Sequence, residues 1–175
     1  MHLIPSQIGA FWLDFVRACA ADPTPRFYEA FFFDDNEASA NALAELVVQG
    51  KKQATAGSLW SFEAEGKALV KPGQFSVVTL FSGQPVCIVE TLRISVVPFA
   101  EVDANFAATE GEGDGSLAHW QQAHRAYFGR ECARMGREFN PLMPVVCEEF
   151  KTVFIDPARL GIKPHSERGG LGGCS

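Results

Sequence analysis

The chain has 175 residues, 47% of them hydrophobic and 15 of them phenylalanine; that is enough apolar surface for one domain of ordinary size to bury a core without disulfides or a structural metal. Its 15 Lys and Arg stand against 21 Asp and Glu, a formal net charge of -6. This balance opposes stable binding to DNA or long RNA, because affinity for polyanions comes largely from cationic side chains that release phosphate counterions.

Cys19, Cys87, Cys132, Cys147 and Cys174 are odd in number and show no Cys-x-x-Cys spacing, which suits reduced thiols better than a zinc knuckle or a secreted disulfide framework. No basic-then-apolar leader and no run of about 18 apolar residues occurs. The expectation is a cytoplasmic protein with no membrane contact.

From Ser6, the residues Ile8, Phe11, Trp12, Phe15, Val16 and Cys19 recur at helical spacing until Asp22-Pro23-Thr24-Pro25 stops the run. Phe27 to Phe33 is an aromatic segment whose type the pattern leaves open. A second helix starts at Asn36, a good N-cap, carries Leu43, Leu46 and Val47 on one face, and ends at Gly50. Ser58 to Phe62, Phe75 to Leu80 and the long run Val86 to Val97 read as strands, separated by turns at Gly66, Lys71-Pro72-Gly73 and Ser82-Gly83-Gln84-Pro85. Phe99 to Ala108 reads as a short helix. The loop Glu110-Gly111-Glu112-Gly113-Asp114-Gly115 follows, then a helix from Ser116 to about Met135 and a last strand over Pro144 to Phe154.

Strands in the middle, helices at the front and near the end, and no βαβ alternation predict an α+β fold: a small barrel or strongly curved sheet with helices packed around it. We expect a helical extension over 1–26, the domain proper over 27–155 and a tail over 156–175, flexible because Gly169-Gly170-Leu171-Gly172-Gly173 has little to bury.

Two stretches can carry chemistry. In Gly50-Lys51-Lys52-Gln53-Ala54-Thr55 a turn between helix and strand can aim a lysine and a hydroxyl at one place, although a C-cap glycine followed by two lysines that complement the helix dipole explains the same residues. The acidic loop lacks the spacing of a calcium loop, so no metal is expected. Asp114 suits the N-terminus of the following helix, while Glu110 or Glu112 can approach a ligand closely because the flanking glycines have no Cβ.

Weaker candidates are His124 and His119, and Trp60, Trp120 and Tyr127, which can stack on a base or simply pack. Ser58 can offer a hydroxyl or cap a turn. Lys51 is either solvated or a phosphate attractor at the rim.

Taken together, Gly50, Lys52 and Thr55 as Gly-x-Lys-x-x-Thr, then Ser58-Leu59-Trp60, Val97-Pro98-Phe99, Glu110-Gly111-Glu112-Gly113-Asp114, Ser116-Leu117, Trp120, His124 and Met143-Pro144-Val145-Val146-Cys147-Glu148 resemble the bacterial ASCH domain proteins over about Tyr28 to Phe154. The resemblance implies a PUA-like small β-barrel with the Gly-x-Lys-x-x-Thr motif at a cleft. Short members of that family are amidohydrolases that deacylate N-acylated cytidine with a Lys, Thr and Glu set, and a longer member is described as a ribonuclease.

Carried over, the catalytic set is Lys52, Thr55 and Glu112, with Glu110 as the rival carboxylate. Lys51, Ser58, Trp60, Glu110, Asp114, Trp120 and His124 are candidate ligand contacts. No cofactor is implied; the expected partner is a small nucleoside-like ligand or a short RNA. A cleft lysine of this kind is expected to supply charge or a base and not packing, so that Lys52→Ala leaves the fold intact.

Overall fold

A computed structural model describes residues 4–159 of the chain; the glycine-rich stretch from Gly169 and Cys174 lie outside them. The strands are β1 (Phe27–Phe31), β2 (Ala54–Ser58), β3 (Phe75–Thr79), β4 (Pro85–Pro98) and β5 (Pro144–Ile155). The helices are α1 (Gly9–Ala18), α2 (Glu37–Val48), α3 (Leu59–Ala64), α4 (Ala104–Glu110) and α5 (Leu117–Arg134).

All five strands form one sheet in the order β1-β3-β4-β5-β2, in which β1 runs parallel to β3 and every other pairing is antiparallel. The spine is the long β4–β5 pair. One half of β4 pairs with β3 as well, from Glu90 opposite Phe75 to Pro85 opposite Thr79, whereas β2 pairs with the first half of β5, from Ala54 opposite Glu149 to Ser58 opposite Val145. Register shifts at Ile88/Val89 and Thr91/Arg93 in β4 add the local twist that such bulges bring and bend the sheet between its two halves.

The sheet is therefore mixed with helices as expected, but it is not closed into a barrel. Among the described residues β1 and β2 are opposite, unpaired edges. Both are only five residues long, a short ladder with which to close a cylinder, and side chains of both face a cleft between them.

Two other expectations are displaced. The strand expected over Ser58 to Phe62 lies at Ala54–Ser58, and Leu59 onward is helical. Its small residues carry little strand signal of their own, and the ladder to β5 decides the matter. At Gly57 an added Cβ would come within 3.1 Å of the Phe62 ring, so the small residue lets α3 fold back onto its own strand. The aromatic segment becomes β1. The helix expected over Phe99 to Ala108 divides into a single turn, Phe99–Glu101, and α4, whose first turn is capped by Asp103 Oδ1 accepting from the Phe106 amide at 2.8 Å.

Three apolar clusters hold the helices to the sheet. Ile8, Phe11, Trp12 and Phe15 around α1 pack on Phe27, Phe75, Val77 and Ile88. On the opposite face Ala44 and Val47 of α2 meet Val78, Cys87, Val89 and Phe150. With both faces covered, all five residues of β3 are buried, Ser76 and Thr79 included. Phe99, Phe106, Trp120 and Phe128 join α4 and α5 to the β2–β5 half.

Helix α1 thus belongs to the central packing. Trp12 is 2% exposed, sits edge-on to Phe15 and Phe27 at 5.4 and 5.0 Å, and donates from Nε1 to Thr24 Oγ1 at 3.2 Å. Trp12→Ala is expected to cost about 3–5 kcal/mol in a single cooperative urea transition. A change below about 1 kcal/mol would show that residues before β1 are an independent appendage.

Candidate functional site

Helix α2 ends at Gly50, whose φ of 72° takes the left-handed conformation that glycine adopts without penalty. The chain then reverses with the amides of Lys51 and Lys52 both bonded to the Leu46 carbonyl. That reversal turns Lys52 inward, where it is 1% exposed, and leaves Lys51 exposed to solvent. From the other side comes α4, with Glu110 as its last residue and Gly111 as a left-handed cap at φ 66°. A Cβ at position 111 would lie 2.1 Å from the Lys51 carbonyl oxygen. No other residue fits so close to the lysine turn.

Lys52 Nζ donates to Glu110 Oε1 at 3.0 Å and to Glu112 Oε1 at 2.6 Å, and lies 5.0 Å from the centre of the Phe33 ring. Glu110, itself 1% exposed, accepts further bonds from the Ala56 amide at 3.2 Å and from Trp120 Nε1 at 2.5 Å. His124 Nε2 stands 3.5 Å from its second oxygen. The His124 ring stacks on Trp120 at 4.1 Å, and its Nδ1 is 3.0 Å from the Trp120 carbonyl, an oxygen that can only accept. Lys52, the Ala56 amide and Trp120 all donate to the buried carboxylate, which is what makes a charge tolerable there.

Burial alone would push the Lys52 ammonium down, but the charges and hydrogen bonds of Glu110 and Glu112 outweigh it and hold the group above its ordinary value. The converse applies to Glu110. Burial raises it, yet Lys52, His124 and Trp120 together bring it down to about 2. Lys52 and Glu110 are therefore an ion pair across the working pH range.

Above this pair opens a cleft of about 550 Å³, a size ordinary for small-molecule sites. Its wall takes Glu29 and Phe31 from β1, Thr55 and Gly57 from β2, Val146 and Glu148 from β5, and His124, Tyr127 and Arg130 from α5, with Glu110 and Glu112 at the base. Lys52 lies beneath that base and not on the wall. Arg130 is held at the rim by Asp35 at 2.9 and 3.1 Å, which ties the loop after β1 to α5. Five carboxylates line the cleft, those of Glu29, Asp34, Glu110, Glu112 and Glu148, against one arginine.

The model of the ASCH domain matches residues 29–154. The chain belongs to the ASCH domain family. A crystal structure of the ASCH domain from Lactobacillus crispatus JV V101 superposes with a TM-score of 0.80 at 34% identity, covering 86% of this chain and 96% of that one. Protein EF3133 from Enterococcus faecalis V583 gives 0.78 at 28% identity, covering 94% and 98%. Comparison with curated proteins finds no match.

Within this ASCH domain, Thr55, Glu110, Glu112 and His124 reach the cleft and Lys52 binds two of them from below. Glu110 departs from the loop expected for it: it closes α4 and is buried. Other candidates lie elsewhere. Trp60 packs on the α4–α5 cluster with the Arg137 guanidinium 4.7 Å over its ring. Ser58 is buried, and its Oγ has no partner among the described residues. Asp114 is exposed and accepts from the Ser116 amide at 2.8 Å, a helix-start turn. Trp120 is a buried donor to Glu110 and not a stacking platform.

Glu110, Glu112 and His124 each offer an atom within 4.8 Å of the others, a possible cation site by distance. The Lys52 ammonium already stands between the two carboxylates, so a divalent ion would have to displace a buried charge.

Glu148, Glu29 and Thr91 were not singled out from the sequence. The available signal was Glu148-Glu149 after the apolar run Val145-Val146-Cys147 of β5: neighbours on a strand point to opposite faces, so one of the two acids must turn toward the interior side.

The buried pairing overturns the expectation that Lys52→Ala spares the fold. Removing the ammonium strands Glu110 as an unpaired buried charge, and a loss of about 3–5 kcal/mol in urea unfolding near neutral pH is expected. Because the folded-state value of Glu110 is depressed, its contribution is present above the ordinary 4.5 and lost as the pH falls toward about 2. Wild-type stability should decline across that window, with a flatter decline in Glu110→Gln; equal slopes in the two proteins would contradict the ion pair.

Proposed function

We propose that this ASCH domain hydrolyses an amide on a small nucleobase-like ligand, of the N-acylated cytidine type. The observation that carries the reading is the charge of the cleft: a space of about 550 Å³ lined by five acidic side chains and one arginine that Asp35 already engages suits an uncharged or cationic small molecule better than a phosphate backbone. An RNA-binding module or a metal-independent ribonuclease would need a basic track along the cleft, and the wall offers none among the described residues.

The division of labour follows from the electrostatics. A lysine held charged between two carboxylates is a poor base, which leaves Glu112, the member of the pair exposed to the cleft, to take a proton from water. Water oxygen bonds to the acyl carbon, its proton passes to Glu112, and the amide C–N bond breaks as that proton is delivered to the leaving nitrogen. The products are a carboxylic acid and the free amine. Lys52 positions Glu112 and balances its charge from beneath; Thr55, on the strand edge, either orients the water or attacks in its place.

Purified protein incubated with N4-acylated cytidines and with short RNAs, analysed by product mass, is expected to release free cytidine and leave RNA intact. Glu112→Gln should lower the rate by on the order of 100-fold or more, with Thr55→Val abolishing turnover if Thr55 is the nucleophile and reducing it partly if it orients water. RNA cleavage or capture without any deacylation would overturn the reading.

A further inference from the structure

Thr55 and Glu148 are directly opposed on β2 and β5, and both line the cleft wall. Opposed residues in an antiparallel pair project to the same face with Cβ atoms about 5 Å apart. The Glu148 carboxyl is held from behind by Thr91, which is 1% exposed and donates from Oγ1 to Glu148 Oε1 at 2.6 Å. Thr91 is opposite Phe150, two positions from Glu148 on the same face of β5, so the two side chains are diagonal neighbours. Beyond Thr91 the register shifts, with Arg93 opposite Glu149, so Leu92 is the extra residue and is half exposed.

Glu148 and Thr91 have no part in the Lys52, Glu112 and Thr55 chemistry. We propose that Glu148 is a ligand-positioning residue whose carboxyl group, fixed by Thr91 opposite Thr55, pairs with the amide or amidine edge of the bound molecule. The assignment rests on the small-molecule reading of the cleft and adds to it the group that orients the ligand's ring.

A carboxylic acid presents one donor and one acceptor side by side, the complement of an N–H beside a carbonyl or ring nitrogen; a carboxylate presents acceptors only. The surroundings favour the acid. Burial raises Glu148 to about 7 despite the opposing Thr91 bond, and Glu29 adds to the rise, while Lys67 works against it. The groups that face it are Glu29 and Tyr28 on β1, Thr55 on β2, Thr91 on β4 and Lys67 after α3. Lys67 is engaged by Glu29 at 2.5 Å, so the one nearby cation is shared with another carboxylate.

Two consequences are measurable. In the absence of ligand, the unfolded carboxyl ionises near the ordinary 4.5 and the folded one near 7, so the folded state holds the extra proton between them and stability falls as the pH rises through that window. Glu148→Gln should remove this fall.

In calorimetric titrations of the full chain with cytidine and N4-acetylcytidine, affinity should drop about tenfold for each pH unit above about 7, following the loss of the acid form. Glu148→Gln, which keeps one donor and one acceptor, should bind with affinity that no longer falls, and Glu148→Ala should bind weakly throughout. His119 and His124 line the same cleft, and any dependence they cause persists in Glu148→Gln.

A profile unchanged by Glu148→Gln, or no binding of either nucleoside at millimolar concentration, overturns the assignment. Binding with the expected profile but no deacylation removes the hydrolase reading and leaves Glu148 in place. Deacylation with a Glu148-independent profile does the reverse.

Discussion

The arrangement depends on a single buried ion pair. Lys52 and Glu110 come from turns separated by 58 positions, and each is 1% exposed. Neither could be buried alone, because an isolated charge in an apolar interior costs several kcal/mol even after relaxation. Together they fix how the α2–β2 turn meets the end of α4, and that junction is tight enough that only glycine fits at position 111. The pair also decides what the neighbouring groups can do: Lys52 is kept charged, Trp120 and the Ala56 amide are committed to Glu110, and Glu112 is drawn into place at the cleft base.

A second constraint is the open sheet. Had β1 and β2 paired, the space now lined by Glu29, Phe31, Thr55 and Gly57 would be backbone ladder. Leaving both edges short and unpaired produces a cleft walled by strands on two sides and capped by α5, with Thr91 of β4 bonded to Glu148. The cleft has a lysine held charged beneath its base and a carboxyl raised on its wall, two groups whose titrations are shifted by their surroundings, a common property of catalytic and binding sites.

Much of this was legible in the residues. The helices α1, α2 and α5 follow from apolar spacing and from the Asn36 and Ser116 caps, both of which accept the expected backbone amide. The family follows from separated motifs in order. The strand β2 was misplaced because Ala54-Thr55-Ala56-Gly57-Ser58 has neither alternation nor β-branched weight, and only the partner strand makes it extended. Burial of Lys52 was hidden for a different reason: a lysine after a helix-ending glycine looks solvated until its two carboxylates, 58 and 60 positions away, are brought to it. Glu148 escaped because, of two adjacent acids on one strand, the residues alone do not say which turns toward the cleft; the ladder with β2 decides it.

The salt dependence of binding tests most directly the claim that this cleft serves a small ligand and not a phosphate backbone. N4-acetylcytidine and a short single-stranded RNA would each be titrated into the protein at low and at high salt. The account predicts nucleoside affinity that is nearly the same at both concentrations and RNA affinity too weak to measure at either. Tight RNA binding that falls steeply as salt rises, with the nucleoside unbound, would contradict it.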